Sequence, residues 1–201
     1  MSMILSLYLT LMPVILAGIA NMIFCKSSLL DSVNQPIDAG RLLGDGRRLF
    51  GANKTWKGFW GMAVWGLLAQ LVWSYFLARQ PDLEKLHLIY AHYPNKLATN
   101  FPLGILLGSA YVVFELPNSY LKRRLDISPG KTAKDAWKYP FILLDHFFCE
   151  NTFQLLGILL VLHLYISLNW AQVIGLLLVG TLTHLGVNRL LYLAKLRQNR
   201  L

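Results

Sequence analysis

Glycines, cations and a tryptophan are concentrated between Pro36 and Gly58. Glycine lets a ligand approach the backbone closely, and Lys and Arg side chains donate hydrogen bonds to phosphate oxygens. The stretch supplies the cations Arg41, Arg47, Arg48, Lys54 and Lys57 and the further candidate contacts Asn53, Thr55 and Trp56. At the start of a predicted helix, this combination is typical of a nucleotide or polyphosphate site. The alternative interpretation is a basic loop that holds lipid headgroups.

A second polar stretch begins at Pro117. If the helix predicted before it continues through Tyr120, the side chains of Ser119, Lys122 and Arg123 lie within about one turn of one another. A Pro-Gly pair then turns the chain back toward the membrane. The second stretch therefore places two cations and a hydroxyl together at the end of a helix.

Asp145 follows four apolar residues and lies at the edge of an apolar run. A carboxylate at a membrane boundary is costly without a partner, so a functional role is its first interpretation, and a salt bridge to a loop arginine is the alternative. Glu115, within another apolar run, is a weaker case of the same argument. His163 and His184 are isolated in apolar segments, and we interpret them as packing residues.

Long apolar runs must position these residues. Spanning a membrane needs roughly 20 residues, with a range of about 17–25, and the candidate spans are residues 3–24, 58–78, 101–117, 141–168 and 171–194. The chain is 55% hydrophobic and only 14% charged, whereas soluble domains are roughly 25% charged. We therefore expect an all-α integral membrane protein, a single domain over residues 1–201 with about five transmembrane helices.

Lys and Arg are unevenly distributed between these runs. Residues 25–57 and 119–140 hold six each and residues 189–201 hold four, but residues 78–100 hold three. Because cytoplasmic loops carry the excess of positive charge, residues 25–57 and 119–140 are predicted cytoplasmic loops, with the N-terminus outside and the C-terminus in the cytoplasm of a multi-pass cell-membrane protein. The net charge of +9 then reflects loops that meet anionic membrane lipids, and no nucleic-acid partner is predicted.

Two other classes of function are compatible with these patterns. A small transporter would need polar residues lining several helices, and the apolar runs contain few apart from Glu115 and Asp145. A non-catalytic protein that binds anionic lipid headgroups would keep the basic loops without needing the acid.

The two polar stretches resemble the signatures of the CDP-archaeol synthase family, membrane enzymes related to phosphatidate cytidylyltransferases. The block Asp45–Gly58 resembles the first-loop signature, and the block Ser119–Leu125, the Pro-Gly pair and Leu144-Asp145 resemble the second. The order and spacing of these motifs and the expected five-helix topology resemble those of the family over essentially the whole chain. The resemblance implies that CTP and a lipid phosphate react, with Mg²⁺, to give a CDP-activated lipid and pyrophosphate.

The resemblance also implies roles for particular side chains. The nucleotide phosphates would be bound by Asn53, Lys54, Thr55 and Lys57, in a substrate-binding set completed by Asp45, Arg47, Arg48, Trp56 and Ser119. Lys122 and Arg123 would contact pyrophosphate or lipid phosphate, and Asp145 would bind Mg²⁺ through hard oxygen ligands. We expect Asn53 and Lys54 to face solvent.

One position departs from the family pattern. A second aspartate usually lies three residues after the first, and Phe148 occupies that position here. Glu150 lies two residues further on, about 200° around a helix, and we expect it to serve as the second metal ligand through a local bend. Glu115 is the second choice. The apolar runs do not distinguish isoprenoid ether chains from fatty acyl chains.

Overall fold

The computed structural model describes residues 2–127 and 152–193 of the 201-residue chain. Within these ranges the chain forms six α-helices and one 3-10 helix, Asp31–Val33. The α-helices are α1 (Ser2–Lys26), α2 (Trp56–Leu77), α3 (Pro81–Glu84), α4 (Leu97–Arg124), α5 (Thr152–Tyr165) and α6 (Trp170–Leu193). The expected all-α fold is confirmed.

Four helices are long and apolar enough to cross a membrane. They are α1, α2, α4 and, over Trp170–Val187, α6. A shorter apolar stretch, Phe153–Tyr165, lies in α5 and corresponds to the later part of the fourth predicted run. Residues 141–151 of that run lie outside the described residues.

Helix α4 is longer than the run at residues 101–117 suggests. It contains 28 residues and passes through Pro102 and Pro117. Proline removes a helical hydrogen bond and disfavours continuation of a helix, yet α4 continues past Pro117, so the helix ends later than the apolar run. The helix therefore does continue through Tyr120, and its additional turns carry Ser119, Lys122 and Arg123.

Helices α2 and α4 pack closely through glycines. A Cβ atom added to Gly66 would lie 2.6 Å from the carbonyl oxygen of Gly104, and one added to Gly104 would lie 2.8 Å from the Cα atom of Leu67. Small residues of this kind let membrane helices approach closely. Helix α1 also packs against α2, and α5 packs against α4. The core between the helices includes Leu7, Leu11, Met62, Leu103, Leu107, Ile158 and Leu162.

A buried polar network joins α2 to the segment between α3 and α4. The amide of Gln70 donates to the Tyr90 hydroxyl at 2.9 Å and to the Asn100 side-chain oxygen at 3.2 Å. Tyr90 donates to the same Asn100 oxygen at 2.7 Å. His87 stacks on Tyr90, with ring centroids 4.1 Å apart, and is 1% exposed. Neither nitrogen of His87 has a hydrogen-bond partner in the described chain.

Candidate functional site

The candidate site lies where the segment between α1 and α2 meets the C-terminal end of α4. We call this segment, residues 27–55, the first loop. Backbone hydrogen bonds fold it: Ile37 donates to the Lys54 carbonyl at 2.8 Å, and Leu43 donates to the Arg47 carbonyl at 2.9 Å. The first loop is therefore a structured segment, able to hold its side chains in defined positions.

Asp38 organises the centre of the first loop. Its side chain is fully buried and forms an ion pair with Arg48. One carboxylate oxygen accepts hydrogen bonds from the backbone N–H groups of Phe50 at 3.1 Å and Gly51 at 3.0 Å, and the other accepts one from Gly40 at 3.0 Å. Burial alone would raise the pKa of Asp38, but the hydrogen bonds from Arg48 and the backbone outweigh it and hold the pKa well below its usual value.

Sequence analysis missed the role of Asp38. Its hydrogen bond to the N–H group two residues on is an Asx turn, and an Asp two residues before a Gly is a signal for that turn. At Gly51 φ is +116°, a backbone conformation that favours glycine. Asp38 and Gly51 together determine the path of the loop at Phe50.

Arg123 joins the first loop to α4. Its Nε donates to the Phe50 carbonyl at 3.0 Å, and its Nη1 donates to the Ile127 carbonyl. Among the described residues, its Nη2 has no hydrogen-bond partner. The guanidinium group is thus fixed by two carbonyls and retains a donor that can meet an anion.

Arg124 makes a second connection between the loop and α4. Its Nη1 lies 2.5 Å from the carboxylate of Asp45, and its Nη2 donates to the Arg48 carbonyl at 2.7 Å. Arg47 donates in return to the Arg124 carbonyl. The backbone N–H of Arg47, followed by the Arg124 side chain, lowers the pKa of Asp45. The structure therefore uses Asp45, Arg47 and Arg48 to fold the loop and hold it against the helix.

Lys54 forms an ion pair with Glu115 of α4. Their side chains are 14% and 27% exposed, so the expectation that Lys54 faces solvent is wrong, whereas Asn53 is exposed. The reason is electrostatic, because a carboxylate within a membrane helix needs a partner and Lys54 supplies the charge. Glu115 is therefore paired with Lys54 in this structure.

Thr55 and Lys57 hold the start of α2. The Thr55 hydroxyl accepts a hydrogen bond from the Gly58 N–H at 3.2 Å and caps the helix. Lys57 is 1% exposed and donates to the Ser27 carbonyl at 2.6 Å and to the Asp31 carboxylate at 2.9 Å. The ammonium group of Lys57 is thereby engaged at the junction of α1 and α2. Trp56 is exposed beside it.

The buried face of α4 becomes polar at its C-terminal end. Glu115, Asn118 and Lys122 follow one another at helical spacing, and Ser119 lies beside them. Asn118, Ser119 and Lys122 are 4%, 5% and 8% exposed. The side-chain oxygen of Asn118 is buried without a hydrogen-bond partner in the described ranges. Sequence analysis also missed Asn118, although its spacing from Glu115 and Lys122 was a usable signal.

Three residues proposed around the metal, Asp145, Phe148 and Glu150, lie outside the described residues. In residues 2–127 and 152–193, no three His, Cys, Asp or Glu side chains come together as metal ligands. The donors described at the junction are mainly cationic, and Glu115 is paired with Lys54. The described part of the site thus suits anion binding and does not by itself form a metal centre.

Comparisons with known proteins cover nearly the whole chain. The model of the CarS-like family (CDP-archaeol synthase) matches residues 1–200. The CDP-archaeol synthase of Pyrococcus furiosus is 32% identical over 162 residues, 80% of each chain. That of Thermococcus kodakarensis is 32% identical over 166 residues, 83% of this chain and 82% of the relative.

The fold also resembles that of a solved membrane protein. A structure described as an intramembrane enzyme for archaeal membrane lipid biosynthesis superposes with a TM-score of 0.57 at 21% identity, covering 90% of this chain and 91% of the other. The shared fold agrees with a bundle of apolar helices. Because the family model matches nearly the full length, this chain belongs to the CDP-archaeol synthase family.

Proposed function

We propose that this protein is a membrane-embedded cytidylyltransferase that joins CTP to a lipid phosphate. The products would be a CDP-activated lipid and pyrophosphate, in keeping with the names of its relatives. The observation that carries the proposal is the docking of the first loop on α4, where Arg123 donates to the Phe50 carbonyl and Lys54 pairs with Glu115. This docking gathers cations from separate parts of the sequence at one end of the helix bundle.

The reaction is a phosphoryl-group substitution. An oxygen of the lipid phosphate attacks the α-phosphorus of CTP, a new P–O bond forms, and the bond to the bridging oxygen between the α- and β-phosphates breaks. The electron pair of that bond leaves with pyrophosphate. Catalysis of this kind rests on positioning and on stabilisation of the departing charge by donors fixed beforehand.

Arg123 is the best-positioned donor for that charge. Two backbone carbonyls fix its guanidinium group, and Nη2 has no partner in the described chain, so little reorganisation is needed when an anion arrives. We assign Arg123 and Lys122 to the pyrophosphate or the lipid phosphate, with Ser119 beside them. Lys54 and the exposed Asn53 would bind the nucleotide phosphates. The Lys54 ammonium group has three N–H donors, so it can contact a phosphate oxygen while it stays paired with Glu115.

The other predicted substrate contacts have supporting roles in this proposal. Lys57 and Thr55 stabilise the α1–α2 junction through Asp31, Ser27 and Gly58. Asp45, Arg47 and Arg48 shape the loop and dock it on α4. Each would affect catalysis through the position of Arg123 and Lys54. Trp56 remains a candidate stacking surface for the nucleotide.

Mg²⁺ is the proposed cofactor, with Asp145 as its principal protein ligand and Glu150 as the second. When bound, it would offset negative charge on the triphosphate, and it needs only one or two carboxylates because substrate oxygens and water complete its shell. Glu115 is less suitable as the second acid because Lys54 neutralises it. The N-terminus would lie outside and the C-terminus in the cytoplasm, so that the first loop faces the cytoplasmic supply of CTP.

The proposal is tested by CTP-dependent and Mg²⁺-dependent pyrophosphate release from protein purified in detergent. The lipid panel should include an archaeol-type ether lipid phosphate, as the relatives' names suggest, and a diacyl phosphatidate. Arg123→Ala should lower turnover roughly a hundredfold, whereas Arg79→Ala, which removes a cation stacked on Tyr75 away from the junction, should not. Headgroup binding without turnover would support the non-catalytic alternative and overturn the proposal.

A further inference from the structure

The inner face of α4 is apolar along most of its length and polar at its end. Leu103, Leu107 and Val112 lie on the buried apolar part. Beyond them the buried side chains are Asn118, Ser119 and Lys122. This polar end lies beside the docked first loop, since the neighbouring Arg123 donates to the Phe50 carbonyl.

Asn118 is exceptional on this face because its side-chain oxygen accepts no hydrogen bond from the described residues. The residue is only 4% exposed. A buried acceptor without a partner costs roughly 1–3 kcal/mol. Asn100, on the same helix and 2% exposed, accepts from Gln70 and Tyr90 and donates to Asn95. The described residues thus supply hydrogen-bond partners to Asn100 but not to the side-chain oxygen of Asn118. A bound ligand can donate the hydrogen bond that Asn118 lacks.

The charges near Asn118 limit what that ligand can be. Phosphate oxygens are acceptors and cannot satisfy another acceptor. A divalent cation would lie near Lys122 and Arg123, and the acid on this face, Glu115, is neutralised by Lys54. A neutral group that donates a hydrogen bond satisfies the oxygen without repulsion.

We propose that Asn118 binds the nucleoside part of CTP, accepting a hydrogen bond from the cytosine 4-amino group or a ribose hydroxyl. This inference rests on the proposed function and adds a residue that determines nucleotide specificity. Arg123, five residues further along α4 and carrying a donor for phosphate, would bind the charged part of the same molecule. Asn118 and Arg123 together would then recognise both ends of the nucleotide.

The test compares nucleotide binding by native protein, Asn118→Ala and Asn118→Asp. The probes are CTP, UTP, 2′-deoxy-CTP, 3′-deoxy-CTP and inorganic pyrophosphate, with dissociation constants measured by calorimetry in detergent. Native protein should bind CTP about tenfold more tightly than the analogue that lacks the bonded donor, since one hydrogen bond is worth about that factor. UTP identifies the amino group, and the two deoxy analogues identify the hydroxyls.

In Asn118→Ala this preference should disappear, with CTP affinity reduced about tenfold and pyrophosphate affinity unchanged. Asn118→Asp keeps an acceptor oxygen and should retain the preference for CTP. The Asn118→Asp measurement also serves as the test if the alanine variant does not fold. Ligand-free Asn118→Ala should melt at or above the native temperature, because it removes an unpaired buried oxygen. Asn100→Ala is the matched control and should lower the melting temperature without altering nucleotide preference.

The failures of the two proposals are distinguishable. If native protein turns over CTP but Asn118→Ala keeps every nucleotide preference, the specificity role is wrong and the proposed function stands. A lowered melting temperature in Asn118→Ala with unchanged preference would identify an internal protein partner and would equally overturn the inference. Absence of any CTP binding by native protein would overturn both proposals.

Discussion

Lys54 and Glu115 are 61 residues apart in sequence and form an ion pair that joins the first loop to α4. Both side chains are mostly shielded from solvent, so each charge depends on the other more than in an exposed pair. Lys54, which we propose binds a nucleotide phosphate, therefore also stabilises the ligand-free protein through its contact with Glu115.

Removing one partner of this pair should destabilise the protein more than removing both. Glu115→Gln leaves a mostly buried ammonium group, and Lys54→Met leaves a mostly buried carboxylate, so each should lower the melting temperature. The double variant should recover part of the loss, with a coupling energy of about 0.5–3 kcal/mol. Thermal melts of the four proteins in detergent measure it. Strictly additive effects would show that the pair does not stabilise the fold.

The Lys54–Glu115 ion pair predicts different behaviour for Asn53 and Lys54, which are adjacent in the first loop. Asn53→Ala should reduce CTP use about tenfold with no change in melting temperature, because Asn53 is exposed. Lys54→Ala should reduce CTP use at least as much and also lower the melting temperature. Steady-state kinetics and thermal melts on both variants separate these effects. Unchanged kinetics in both would favour the headgroup-binding interpretation of the loop.

The limits of sequence reasoning are clearest at Lys54 and Lys57. Both belong to one motif, and composition indicated phosphate binding for both. Their surroundings depend on where α2 begins, because Lys57 lies in its first turn and contacts Asp31, whereas Lys54 precedes the helix and contacts α4. Helix content and the basic loop followed from hydrophobic runs and local motifs. The partners of Asp38 and the isolation of Asn118 depend on tertiary packing.

Asp38 should act on catalysis through the position of Arg123. Asp38→Asn removes the charge that pairs with Arg48 and weakens the hydrogen bonds to Phe50 and Gly51, with an expected loss of about 1–3 kcal/mol in stability. The kcat value should fall because the Phe50 carbonyl no longer fixes Arg123. Combined with Arg123→Ala, the variant should cause little further loss of kcat. The control is Asp82→Asn, an exposed acid at α3.

The low pKa of Asp38 also predicts acid sensitivity. A carboxyl group whose pKa is lower in the folded state stabilises the fold above its unfolded pKa, which is about 3.9. That contribution is lost as the pH falls below about 4. Melting temperatures of native protein and Asp38→Asn should therefore converge in this range, and a constant difference down to pH 3 would contradict the assignment.

His87 predicts a separate change at higher pH. Burial lowers the pKa of His87 to about 3, whereas the unfolded chain titrates near 6.5. Above about pH 6.5 His87 is neutral in both states and leaves stability unchanged. Below that pH the unfolded chain binds a proton that the buried ring does not, so stability falls, by about 2 kcal/mol at pH 5. His87→Phe keeps a ring against Tyr90 and should remove that part of the pH dependence. His92→Phe, at an exposed position, should leave it unchanged.

The positive-inside distribution predicts which loops face the cytoplasm. In a variant lacking Cys25 and Cys149, cysteines placed at the exposed positions Ala52 and Ala91 should differ in labelling by a membrane-impermeant maleimide. In oriented vesicles, Ala52→Cys should react from the cytoplasmic side and Ala91→Cys from the outside. Labelling of Ala91→Cys from the cytoplasmic side would invert the proposed topology.

Phe148 occupies the position where the family usually has a second aspartate. Asp145→Asn keeps shape and hydrogen bonding but loses the anion that Mg²⁺ prefers, so activity should disappear while the protein still inserts and melts cooperatively. Glu150→Gln should cause a smaller loss, since Mg²⁺ retains waters and substrate oxygens among its ligands. Phe148→Asp restores the family pattern and should lower the Mg²⁺ concentration needed for half-maximal turnover. Mg²⁺ titrations of turnover for the native protein and these variants test the set. Near-native turnover by Asp145→Asn would remove the metal role, and activity confined to Phe148→Asp would identify the native chain as a diverged protein without the enzyme's chemistry.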